Sequence, residues 1–169
     1  MILDDETGRR SGLAAAVARA VTLWALLGGL LLLAVVGINF ASVVGNIFGA
    51  PFPGDFELTE MGMAVAVFAF LPYCQLTDAN VTADIFTARA PRPLLALLRA
   101  AGCLVAFAFA AILVWRMTLG MIDQGRYHYT TTILQVPIWW AFVPILISLA
   151  LLVLAAALSF VEALRGRPA

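Results

Sequence analysis

Hydrophobic positions in this chain do not alternate with polar ones; they run on. Four apolar stretches, roughly residues 21–44, 58–76, 94–119 and 136–161, are separated only by short polar segments. A hydrocarbon core about 30 Å thick takes about 20 apolar residues of α-helix at about 1.5 Å each. Every stretch is close to that length or beyond it. The pattern predicts an all-α membrane protein: four transmembrane helices in a single domain over residues 1–169, with three short loops between them.

Composition agrees, with 63% hydrophobic residues, 12% charged ones and a mean hydropathy of +1.01. Soluble domains carry about 25% charged residues. The formal net charge is zero, so no nucleic-acid partner is indicated. All ten basic residues are arginine, and their placement sets an orientation. Short loops rich in basic residues stay cytoplasmic. Arg9, Arg10 and Arg19 flank the first stretch; Arg89, Arg92 and Arg99 lie around the entry to the third; Arg165 and Arg167 follow the fourth. Only Arg116 and Arg126 fall on the opposite side. The expectation is N-in/C-in, with loops 45–57 and 120–135 outside.

Arg9-Arg10 before an apolar run superficially suggests a twin-arginine signal. The run exceeds the 7–15 residues of a signal's apolar region, and no small-residue cleavage site follows it before Pro51. It is read as a retained helix. Two interfacial helices are candidate additions, one over residues 11–20 and one at the outer end of helix three. Trp24 and Tyr73 fall near the expected inner interface, and Trp115, Trp139 and Trp140 near the outer one, as an aromatic belt requires.

Within the helices, small residues stand out. Gly37, Ala41, Gly45 and Gly49 recur every four residues in the first stretch, as do Gly102, Ala106 and Ala110 in the third. Such stripes let backbones approach closely in lipid. Asn39 shares the first helix and needs a polar partner, best supplied by another helix. Pro51, Pro53 and Gly54 break the chain, and Asp55 then reads as an N-cap with Glu57 and Glu60 following. Glu60 lies a turn deeper, where it belongs either at the interface or opposite a basic group on a partner. Pro72 should kink or end helix two, and Pro144 should kink helix four. Helix three, if continuous from Leu94 to Met121, is about 42 Å long and must tilt or project.

Much chemistry is missing. Cys74 and Cys103 form no CxxC pair and read as small buried apolar residues. A single histidine, His128, cannot supply a bis-histidine haem site. There is no phosphate-binding glycine loop, and no span holds a central carboxylate of the kind an ion or proton path needs. The chain reads as a non-enzymatic scaffold with no cofactor or metal of its own. Three roles fit that description: an accessory subunit of a secondary transporter, a self-assembling structural tetraspan, and the membrane anchor of a redox complex.

Two segments favour the first. The run Gly45-Asn46-Ile47-Phe48-Gly49-Ala50-Pro51-Phe52-Pro53-Gly54-Asp55-Phe56-Glu57-Leu58, and Asn80-Val81-Thr82-Ala83-Asp84-Ile85-Phe86-Thr87 with Pro91 after it, resemble segments of the DctQ-type small membrane subunit of TRAP (tripartite ATP-independent periplasmic) transporters. The final helix, opening on Val136-Pro137-Ile138-Trp139, is also similar to that family's. The resemblance implies contact or structural roles for Glu57 and Asp84. It implies two partners, a large membrane subunit holding the sodium and solute sites and a periplasmic binding protein for an organic acid, and a place in the bacterial inner membrane. Asn46 and Asn80 depart from the family, which often has basic residues there, and no role of those groups carries over.

Overall fold

The structure, a computed structural model, describes residues 12–50, 52–77 and 92–164. Four helices follow in order: α1 (Gly12–Ile47), α2 (Asp55–Leu76), α3 (Arg92–Arg126) and α4 (Trp139–Leu164). Each is long and apolar enough to cross a membrane. Helices are the natural answer in hydrocarbon, because every backbone N–H and C=O must find a partner within the protein. Side-chain hydroxyls obey the same demand. Thr22 and Thr118 each donate to the carbonyl four residues back, Ala18 O at 2.9 Å and Val114 O at 2.7 Å.

α1 begins at Gly12 and continues unbroken, so the segment expected as an interfacial helix over 11–20 is instead the first turns of α1 from Gly12 onward. Ala14, Ala18 and Val21 are buried there against the bundle, which holds the segment in line with the rest. At 36 and 35 residues, α1 and α3 are each over 50 Å long by about 1.5 Å per residue, well beyond the hydrocarbon thickness. α2 runs through Pro72 to Leu76 and stops at Thr77, whose N–H and hydroxyl both bond to Tyr73 O. α3 continues to Arg126, whose charge suits the negative end of the helix dipole.

α1 ends in a Schellman motif. Ala50 N–H donates to Gly45 O and Gly49 N–H to Asn46 O, with Gly49 at φ +74°. Gly49 therefore lies beyond the helix. It is glycine because a left-handed cap needs one, and it does not extend the small-residue stripe. The N-cap of α2 also differs from expectation: Gly54 holds it, at φ +82°, and Asp55 is the first helical residue.

The helices do not surround a common axis. α2 packs on α1 and on α4, α4 packs on α3, and α1 touches α4 more lightly; neither α1 nor α2 packs appreciably on α3. The α1–α2 turn and the α3–α4 connection meet at one end, the loop end. α1 starts and α4 finishes at the other, the terminal end. Near the terminal end Ala18, Val21, Leu76 and Ala155 form a buried cluster, with Val17, Tyr73 and Leu151 against it.

Candidate interaction surfaces

Polar groups inside the bundle tie helices together. Asn39 Nδ2 donates to Thr59 Oγ1 of α2 at 2.6 Å and to Val35 O at 2.9 Å, so the amide finds its expected partner on a second helix. One turn further on, Ser42 donates its hydroxyl hydrogen to the Asp55 carboxylate. Trp24, half-buried, ties α1 to α4: its Nε1–H donates to Ser148 Oγ of α4 at 2.8 Å, and Ser148, fully buried, passes its own hydrogen to Pro144 O. Trp115, Trp139 and Trp140 do face outward.

The loop end is held by one carboxylate. Glu57, in the first turn of α2, accepts the N–H of Ile133 at 2.7 Å on Oε1 and the N–H of Leu134 at 3.0 Å on Oε2. The segment it grips folds back on itself: Thr131 N–H bonds to Val136 O and Ile138 N–H to Tyr129 O, around a bridge between Thr130 and Pro137. Leu134 seats on Gly54, where a Cβ would collide with its side chain. Glu57 is thus less a helix cap than a clamp joining the two loops. It orders a surface on which Phe48, Phe56, Tyr127 and Ile133 stand exposed.

Of the other residues singled out in the sequence, Glu60 is exposed on α2 and makes no bond with the described residues. Asp84 and its segment lie outside the described residues, as do Arg9, Arg10, Arg89, Arg165 and Arg167. Among the described residues the small-residue stripes are only partly used as seams between helices of this chain. Gly37 and Gly102 are exposed, and a Cβ on either would meet nothing within 4 Å. Ala41 is exposed, while Gly45 and Ala106 are half-buried and Ala110 is fully buried. The close approach inside the chain uses other glycines, Gly28 of α1 and Gly62 of α2. A Cβ on Gly28 would come within 2.7 Å of Ala69 Cβ, and one on Gly62 within 2.5 Å of Val35 Cγ2.

Cys74 and Cys103 are half-buried and form no disulfide with each other. Among the described residues no three His, Cys, Asp or Glu side chains come together to hold a metal. Asp55, Glu57, Glu60 and Asp123 all sit toward the loop end. What the arrangement can do chemically is present surfaces: two small-residue faces along the membrane and one clamped platform at the loop end.

Neither curated proteins nor solved structures give a match to this chain. Residues 35–166 match the family model described as the DctQ component of tripartite ATP-independent periplasmic transporters. That match covers the Asn39 tie, the Glu57 clamp and three complete helices, and the chain belongs to this family of small multi-pass membrane subunits, which work in a tripartite complex with a large membrane subunit and a substrate-binding protein.

Proposed function

We propose that this subunit widens the fixed scaffold of a sodium-coupled organic-acid transporter in the bacterial cytoplasmic membrane, with both termini cytoplasmic and no ion or solute site of its own. The observation that carries this reading is the outward position of Gly37, Ala41 and Gly102. Lipid gains little from contact with a glycine, whereas a helix of another subunit can approach it closely and gain dispersion along its length. In this reading the large subunit covers these faces and holds sodium and solute. Glu60, exposed on α2 and without a partner among the described residues, would meet a basic group there. The platform clamped by Glu57 faces the periplasm and helps to receive the binding protein.

Purification in mild detergent tests the partner directly. Wild-type chain is expected to bring down a large multi-span subunit, and proteoliposomes holding both, supplied with binding protein, should accumulate an organic acid on a sodium gradient. Gradient-driven accumulation by this chain alone would overturn the reading. So would recovery only as a homo-oligomer, which would favour the self-assembling tetraspan.

A further inference from the structure

α3 carries an arginine inside its apolar span. Arg116 is exposed and makes no hydrogen bond or ion pair with the described residues. Its depth follows from α4. A Cβ on Gly120 would stand 3.3 Å from Phe142 Cε1, so these two residues share a level. Arg116 lies four residues from Gly120 toward the terminal end, and Trp139, which opens α4, lies three residues from Phe142 toward the loop end. At about 1.5 Å per residue the two levels are about 10 Å apart. Leu119 and Ile122 of α3 and Val143 of α4 stand exposed between them, a surface suited to hydrocarbon and not to water. Arg116 therefore sits below the headgroup level that Trp139 and Trp140 mark, by more than an arginine side chain extends. Asp123, the one carboxylate on α3, is two turns away.

We propose that Arg116 pairs with a carboxylate on a membrane helix of the large subunit, which docks along the exposed face of α3. Resting on the scaffold role, this pairing supplies the chemistry of the contact. Two observations select the occupant. Gly102, Val105, Phe109, Ile112, Arg116 and Leu119 are all exposed and follow one another at alternating spacings of three and four residues. That is the spacing at which one helix offers a seam to another. The seam is apolar except at Arg116, and there the charge decides. A lipid tail covers the apolar positions but offers a guanidinium no acceptor, and an unanswered charge at that depth is costly. A lipid phosphate lies at the headgroup level, out of reach. A carboxylate on a facing helix accepts two parallel N–H bonds from the guanidinium, so each charge answers the other within hydrocarbon.

The affinity of the full chain for purified large subunit, measured in detergent with and without added phospholipid, tests this. Arg116→Leu should weaken binding about thirtyfold, the low end of what removing one partner of a buried charge pair costs. Arg116→Glu should weaken it further. Neither should move the unfolding midpoint of the isolated chain, where Arg116 bonds to nothing described. In the Arg116→Glu background, carboxylates in the membrane spans of the large subunit are then replaced by arginine one at a time, and one such reversal should restore binding. Wild-type affinity in Arg116→Leu, or no restoring reversal, would overturn the pairing. A loss of binding seen only where phospholipid is present would also overturn it, in favour of a lipid phosphate. A wild-type chain that binds no large subunit would refute the scaffold role and the pairing with it, whereas equal binding by wild type and Arg116→Leu refutes the pairing alone.

Discussion

Two sets of small residues in this chain look alike in the sequence and do opposite things. Gly28 and Gly62 face inward, where α1 and α2 come so close that neither has room for a Cβ. Gly37 and Gly102 face outward, where a Cβ meets nothing. Four-residue spacing does not separate the sets, since it links Gly62 to the buried Ala66 as well as Gly37 to the exposed Ala41. A regular stripe therefore reports that some helix surface is smooth; whether the subunit's own helices use it depends on how each helix is rotated in the bundle. The same contrast separates whole helices. Among the described residues α4, packed on both sides, has 28% of its most apolar window buried, whereas α3, packed mainly on α4, has 6%. Most of that window of α3 is left uncovered by the described residues.

The largest effect that breaks the comparison comes from filling the inward set. Gly28→Leu should destabilise the chain by about 3 kcal/mol or more, because Ala69 Cβ is fixed to the α2 backbone and the helices themselves must separate. Unfolding in mixed micelles checks this, and an unchanged midpoint would mean that the seam is not close-packed. Next is the clamp. Glu57→Ala leaves the Ile133 and Leu134 amides without their acceptor and should cost about 1–3 kcal/mol locally. Faster hydrogen exchange at those two amides, with the α1–α2 seam unaffected, is the expected reading.

Asn39→Leu should be milder. Hydrogen bonds between membrane helices average about 0.6 kcal/mol, and Thr59 keeps its bond to Asp55 O. A loss above about 2 kcal/mol in the same unfolding assay would show that the amide anchors more than the α1–α2 pair. The smallest effect on stability belongs to the outward set. Gly37→Leu or Gly102→Leu should move the isolated chain by no more than about 0.5 kcal/mol. The same substitutions should reduce co-purification of the large subunit. Reversal of this order, with Gly37→Leu unfolding the chain and Gly28→Leu tolerated, would undo the distinction.

The helices themselves were legible because their lengths match a fixed physical thickness, and length survives ignorance of packing. α3 was expected to be longer than the hydrocarbon is thick if unbroken, and it runs unbroken from Arg92 to Arg126. The partner of Asn39 was legible in kind, since an amide in hydrocarbon must bond across to something. The role of Glu57 was not. Its partners lie 76 and 77 residues away and are backbone amides of an ordinary Ile and Leu, which no local pattern marks. Gly49 misled because its spacing continues a stripe, while its reason is a helix cap. The bond of Trp24 to Ser148 was not legible either, because its partner lies 124 residues away on α4.

The central claim is that the outward small-residue faces are covered by the large subunit. Cysteine cross-linking in the assembled transporter tests it most directly, with Cys74 and Cys103 first replaced by alanine. Single cysteines at Gly37, Ala41 and Gly102 should link to the large subunit through a short thiol-reactive linker, whereas cysteine at the buried Ala69 should not. An intact, transporting complex in which none of the three outward positions forms such a link would contradict the account.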